Sequence, residues 1–109
     1  MYDYDQIEEL DEWEPTINAH DYLIVDFFAT WCGPCKNLDK EIKKAKERHP
    51  NLKIVKVDID EADDLCDHFE VENLPTVYFF HKGKKQKKIF MGNKYDLFHT
   101  RVNDLMELK

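Results

Sequence analysis

The chain has 109 residues, a formal net charge of −7, and 42% apolar and 13% aromatic residues. That length suggests one domain, 1–109, able to bury a core without a disulfide framework. The acidic balance argues against general nucleic-acid binding, which sets Lys and Arg against phosphates, and no apolar run nears the roughly 20 residues of a membrane helix.

The opening "MYDYDQIEEL" is acidic and lacks the basic and apolar regions of a secretory signal. Three cysteines is an odd count for a small secreted scaffold. The default expectation is therefore a cytoplasmic chain whose thiols are mostly reduced. Residues 2–7 read as a short edge strand. Asp11 is a candidate N-cap with Glu14 as its capping-box partner, opening a short helix over 11–20 that Pro15 weakens. Residues 22–29 are continuously apolar except at Asp26, the pattern of a central strand covered on both faces. Pro34 fits the first turn of the next helix, which should stop near His49, before Pro50. Its apolar stripe is Leu38, Ile42 and Ala45. Counting back along that stripe turns Cys35 inward and leaves Cys32 reachable at the helix start.

Residues 52–59 alternate as a strand. Glu61 to Phe69 reads as a helix with Ala62, Leu65, Cys66 and Phe69 on one face, so Cys66 is expected to behave as a small buried apolar residue. "TVYFF" (76–80) is a further strand, Gly83 marks a turn, and "KKIFM" (87–91) returns antiparallel. The five lysines of "KGKKQKK" read as a solvated turn guarding a sheet edge. Tyr95, Phe98, Val102, Leu105 and Met106 form the apolar side of a closing helix. Trp13 and Phe98 read as core anchors. Strands alternating with helices imply an α/β fold, a mixed sheet with helices on both faces.

One Cys-x-x-Cys admits three readings. A structural zinc site normally takes four Cys or His ligands. No second pair exists here, only Cys66 and His68 are at hand by composition, and the five histidines show no ligand spacing. Two unrelated core cysteines is the plainer reading, but a strand-to-helix turn before Gly33-Pro34 is a poor place to hide Cys32. The redox reading explains more. The thiolate is the reactive species in exchange, and a helix N-terminus offers unpaired N–H donors and the positive dipole end. Cys35, one turn on, is close enough to close a disulfide with Cys32 after a mixed disulfide has formed. Gly33 keeps the turn tight and open, and Pro34 stiffens it.

"VDFFATWCGPCK" resembles the active-site segment of the thioredoxin family. "LPT" (74–76), followed by an apolar strand and the lone Gly92, is similar to the rest of that family's pattern, and the likeness extends over nearly the whole chain in length and element order. Related disulfide isomerases usually carry His in place of Pro34. The resemblance implies a thioredoxin fold, with a central mixed sheet of four or five strands and about four helices. It implies a general protein disulfide reductase in which Cys32 attacks, Cys35 resolves, and the Cys32–Cys35 disulfide forms reversibly. It makes Trp31 a shelter for the site and Pro75 a cis-proline facing the cysteines. Leu74, Met91 and Gly92, with Gly33 and Pro34, become substrate contacts. No tightly bound cofactor or metal is implied. Electrons would come from NADPH through a flavoprotein thioredoxin reductase, the partners would be disulfide-containing proteins, and the chain would act as a monomer.

Asp26 fits this scheme. Its flanks, Leu-Ile-Val and Phe-Phe-Ala, argue against an exposed kink. A buried carboxyl beneath the pair, its pKa raised by desolvation, can take the proton that Cys35 must lose. Lys56 on the adjacent strand is the matching partner in the family pattern. Departures from that pattern are Lys40 where a kinking proline is usual, Glu72-Asn73 before Leu74, Phe28 in place of a frequent Trp or Ser, and a poorly matched N-terminal strand. They bear on partner preference and redox potential rather than on the reaction. The rival readings are a redox-dependent binding module or sensor, a specialised disulfide donor or isomerase-like oxidoreductase, and a zinc-clipped domain.

Overall fold

A computed structural model describes residues 4–109. In chain order its elements are β1 (Asp5–Gln6), α1 (Trp13–Asn18), β2 (Tyr22–Phe28), α2 (Gly33–Arg48), β3 (Lys53–Asp58), α3 (Asp63–His68), β4 (Thr76–His81), β5 (Lys84–Lys85), β6 (Phe90–Met91) and α4 (Tyr95–Met106). The sheet order is β1-β3-β2-β4-β5, with β6 also on β4. β1 and β2 run parallel to β3, and β4 runs antiparallel to β2. The continuous apolar run at 22–28 is the middle strand of that order, with helices over both of its faces, which is why it needs no polar face.

Side chains alternate across β2 and sort into two cores. Leu23, Val25 and Phe27 face α1 and α3, where Trp13, Ile17, Ala62 and Leu65 cover them. Ile24 faces α2 and α4, packing with Leu38, Ile42, Ala45, Phe98, Val102 and Leu105. The two sets of helices therefore lie on opposite faces, as expected. Trp13 and Phe98 are both buried.

Three expectations need correction. The returning strand is not continuous over 87–91. Lys84–Lys85 pair with Phe80–His81, Phe90–Met91 pair with Thr76–Val77, the Gln86 N–H still donates to the Phe79 carbonyl at 2.8 Å, and residues 87–89 leave the ladder. This split raises the strand number to six rather than four or five. The detour has a cause: the Arg101 side chain donates from Nε to the Ile89 carbonyl at 2.9 Å, and Phe90 packs on Phe98 with ring centroids 5.5 Å apart. The five lysines of this segment are exposed. Second, the first helix is not capped by Asp11 and Glu14. A 3-10 turn over Leu10–Glu12 leads into α1, and the Glu12 carboxylate accepts from the backbone N–H groups of Glu8 and Glu9 at 3.1 and 2.9 Å. Pro15 is then in the first turn of α1, where its missing N–H is not needed. Third, the strand expected over 2–7 is confined to Asp5–Gln6, and its residues 2 and 3 lie outside the described ones.

Candidate active site: a cysteine pair and a buried carboxyl

β2 ends at Phe28, and the chain turns once before α2 begins, with the Cys32 N–H donating to the Ala29 carbonyl at 3.1 Å. Cys32 is the N-cap of α2, and its Sγ accepts from the backbone N–H of Cys35 at 3.2 Å. One of the helix's unpaired donors is therefore already aimed at the sulfur that the chemistry needs as an anion. Pro34 falls in the first turn of this 16-residue helix. Cys32 and Cys35 form a disulfide, with Cα atoms 5.3 Å apart.

Both cysteines are largely covered, at 6% and 2% exposure. Phe28, Ile59 and Leu74 pack against them. Cys32 shows its remaining surface in a shallow cleft whose rim includes Trp31, Gly33, Pro34, Asn73 and Leu74. Trp31 is 68% exposed, yet its ring is fixed: the indole N–H donates to an Asp60 carboxylate oxygen at 2.9 Å. The Leu74–Pro75 peptide is cis and Pro75 is buried. Pro75, Met91 and Gly92 are not among the cleft's lining residues. Met91 is half-exposed and pairs with Thr76, next to the cleft. Gly92 adopts φ +95, with open space where a Cβ would point.

Asp26 shares with Ile24 the face of β2 that α2 covers. It is fully buried, and neither carboxyl oxygen has a hydrogen-bond partner. Burial pushes its pKa up to about 7, with Lys56 opposing the rise and Asp39 adding to it. Lys56 is the register partner of Asp26, but it does not pair closely with it. Its ammonium stands 3.7 Å from Asp26 and 2.6 Å from Asp39, and it lies over the Phe28 ring at 4.3 Å. Cys66 is only partly buried, packed beside Phe69 on the α1/α3 side. Burial, then Asp63, Asp67 and Asp58, pushes its thiol up to about 11, which leaves it a poor nucleophile.

Sequence reasoning missed Asp39 and Asp60. Asp39 carried a signal, since it lies four residues after Cys35 on the same helix face. Asp60 carried none, because its partner is 29 residues away in the chain. Among the described residues no group of three or more His, Cys, Asp or Glu could hold a metal, and no helix is long and apolar enough to cross a membrane.

A disulfide-bonded cysteine pair at the start of a helix, beside a cleft walled by Trp31 and Leu74, marks the chain as a thiol–disulfide oxidoreductase. The family model described as thioredoxin matches residues 6–103, and the chain belongs to the thioredoxin family. Thioredoxin-1 of Saccharomyces cerevisiae is 36% identical over 88 residues, covering 81% of this chain and 85% of that one. Thioredoxin-2 of Pyricularia oryzae is 35% identical over 82 residues, 75% of this chain, and the match spans about half (48%) of that longer protein. Among solved structures, oxidised mitochondrial thioredoxin 3 from Saccharomyces cerevisiae superposes with a TM-score of 0.86 at 30% identity, covering 93% of this chain and 94% of that one.

Proposed function

We propose that the chain, as one domain over 1–109, is a general protein disulfide reductase. The observation that supports this reading is the Cys35 N–H aimed at Cys32 Sγ at the start of α2, with a buried carboxyl lacking hydrogen-bond partners on the face of β2 that the same helix covers. The Cys32 thiolate attacks one sulfur of a target disulfide. A Cys32–target bond forms, the target bond breaks, and the departing thiolate takes a proton from water. Cys35 then gives its proton to Asp26. The Cys35 sulfur attacks Cys32 Sγ, the internal disulfide closes, and the second target thiolate leaves. The target gains two electrons and the pair loses them. Lys56 tempers the charge on Asp26. Trp31, Gly33, Pro34 and Leu74 offer the docking rim, and Met91 and Gly92 extend it beside Pro75.

The dithiol is regenerated by NADPH through a flavoprotein thioredoxin reductase, a route taken from the family. The chain acts as a monomer in a reducing compartment, the cytoplasm, on disulfide-containing proteins, and it carries no tightly bound cofactor.

Insulin reduction with dithiothreitol tests this. Wild type should turn over many times, Cys32→Ser should be inactive, and Cys35→Ser should stall as a mixed disulfide that dithiothreitol releases. The exposed Trp31 and Met91 side chains would also suit a redox-gated binding module. That alternative wins if partner binding follows the oxidation state while wild type shows no turnover.

A further inference from the structure

We infer that Asp39 is a positioning residue for the proton relay, holding the Lys56 ammonium off Asp26 so that the buried carboxyl stays a proton acceptor instead of a fully paired anion. This rests on the reading that Asp26 takes the Cys35 proton.

One ammonium here serves two carboxyls. The contact with Asp39, at 2.6 Å, is a charge-assisted hydrogen bond. The contact with Asp26, at 3.7 Å, is beyond hydrogen-bond range. The division follows from solvation. The Asp39 side chain is 43% exposed and keeps its contact with water, whereas Asp26 is fully buried. The Lys56 side chain is 13% exposed and lies over the Phe28 ring at 4.3 Å and the Tyr4 ring at 5.8 Å. Those rings favour the cation's present position.

The arrangement is tied to the cysteines by α2. Asp39 is four residues beyond Cys35, so a rigid turn sets the distance from the redox pair to the clamp. The charged groups that act on Asp26 are Lys56 from β3 and Asp39 from α2. Lys40 and Lys43 of α2 and Tyr4 line the same surface depression as Asp39 and Lys56. From β4 its register neighbour is the apolar Val77. Lys56 is thus the cation in contact with Asp26, and Asp39 decides how far that contact goes. The signs agree: Lys56 lowers and Asp39 raises the Asp26 pKa.

Removing the Asp39 charge frees Lys56 to close on Asp26. The test is the carbon-13 titration of the Asp26 carboxyl in the reduced protein, together with the pH profile of insulin turnover, for Asp39→Asn, Asp39→Glu and Asp26→Asn. In Asp39→Asn the midpoint should fall by about one pH unit. A weaker base ionised earlier should turn over faster than wild type at pH 6 and slower at pH 8, and Asp39→Glu should restore the wild-type midpoint. A merely structural role for Asp39 would scale activity at every pH without this crossing. An unmoved midpoint in Asp39→Asn, with the midpoint lost in Asp26→Asn, overturns the inference and leaves the relay intact. A midpoint that survives in Asp26→Asn overturns both.

Discussion

Ionising Asp26 is uphill in the folded chain because its carboxyl has left water without gaining a hydrogen bond. The unfolded chain ionises it near 3.8 and the folded one near 7. Well below pH 3.8 both states hold the proton, so the pH-dependent part of the cost disappears there. As pH rises through 7, the folded state must either keep a proton that the unfolded state has released or bury a charge, and stability falls. Asp26→Asn should therefore stabilise the fold at pH 8, by about 2–4 kcal/mol for a rise of some three pKa units. The gain should shrink to a small fraction of that near pH 4. Urea unfolding of the oxidised forms at the two pH values checks both the size and the sign. The residue is kept at a cost in stability, as expected of a group retained for chemistry.

At the scale of elements, the site depends on where α2 starts. Its N-terminus must meet the end of β2, and the Leu38, Ile42 and Ala45 stripe beneath Ile24, Phe79 and Phe98 fixes that meeting. Polar contacts across the α2–α4 seam reinforce it, with His99 Nε2 2.9 Å from Glu41 and Arg48 3.1 Å from the other His99 ring nitrogen. The β4–β5 hairpin is set by a two-residue turn. Lys82 and Gly83 both take positive φ, +50 and +83, as tight hairpins require. A Cβ on Gly83 would meet Asn18 Oδ1 at 2.3 Å. Gly83→Ala should cost about 1–2 kcal/mol, read as a lower unfolding midpoint with insulin turnover per folded molecule unchanged.

At the scale of the whole molecule, what was legible in the sequence is what depends on near neighbours. The inward turn of Cys35 followed from a helical stripe, and the burial of Asp26 followed from its own flanks. The helix pairs on opposite faces followed from strands alternating with helices. What escaped depends on contacts between distant residues. Asp39 meets Lys56 across 17 residues and Trp31 meets Asp60 across 29. The break at 87–89 needs Arg101 of α4 to hold Ile89. The cap at Glu12 was hidden by its neighbours, because in "EELDEWE" several acids have cap-like spacing and only the folded turn selects one. The proposed reduction turns on a proton passed from the second sulfur to a buried acid, so the most direct test is the pH dependence of multiple-turnover insulin reduction by wild type and Asp26→Asn. Wild type should rise through a midpoint near 7, while Asp26→Asn should lack that midpoint and run slower by on the order of tenfold or more at pH 8. Profiles that superimpose would contradict the account.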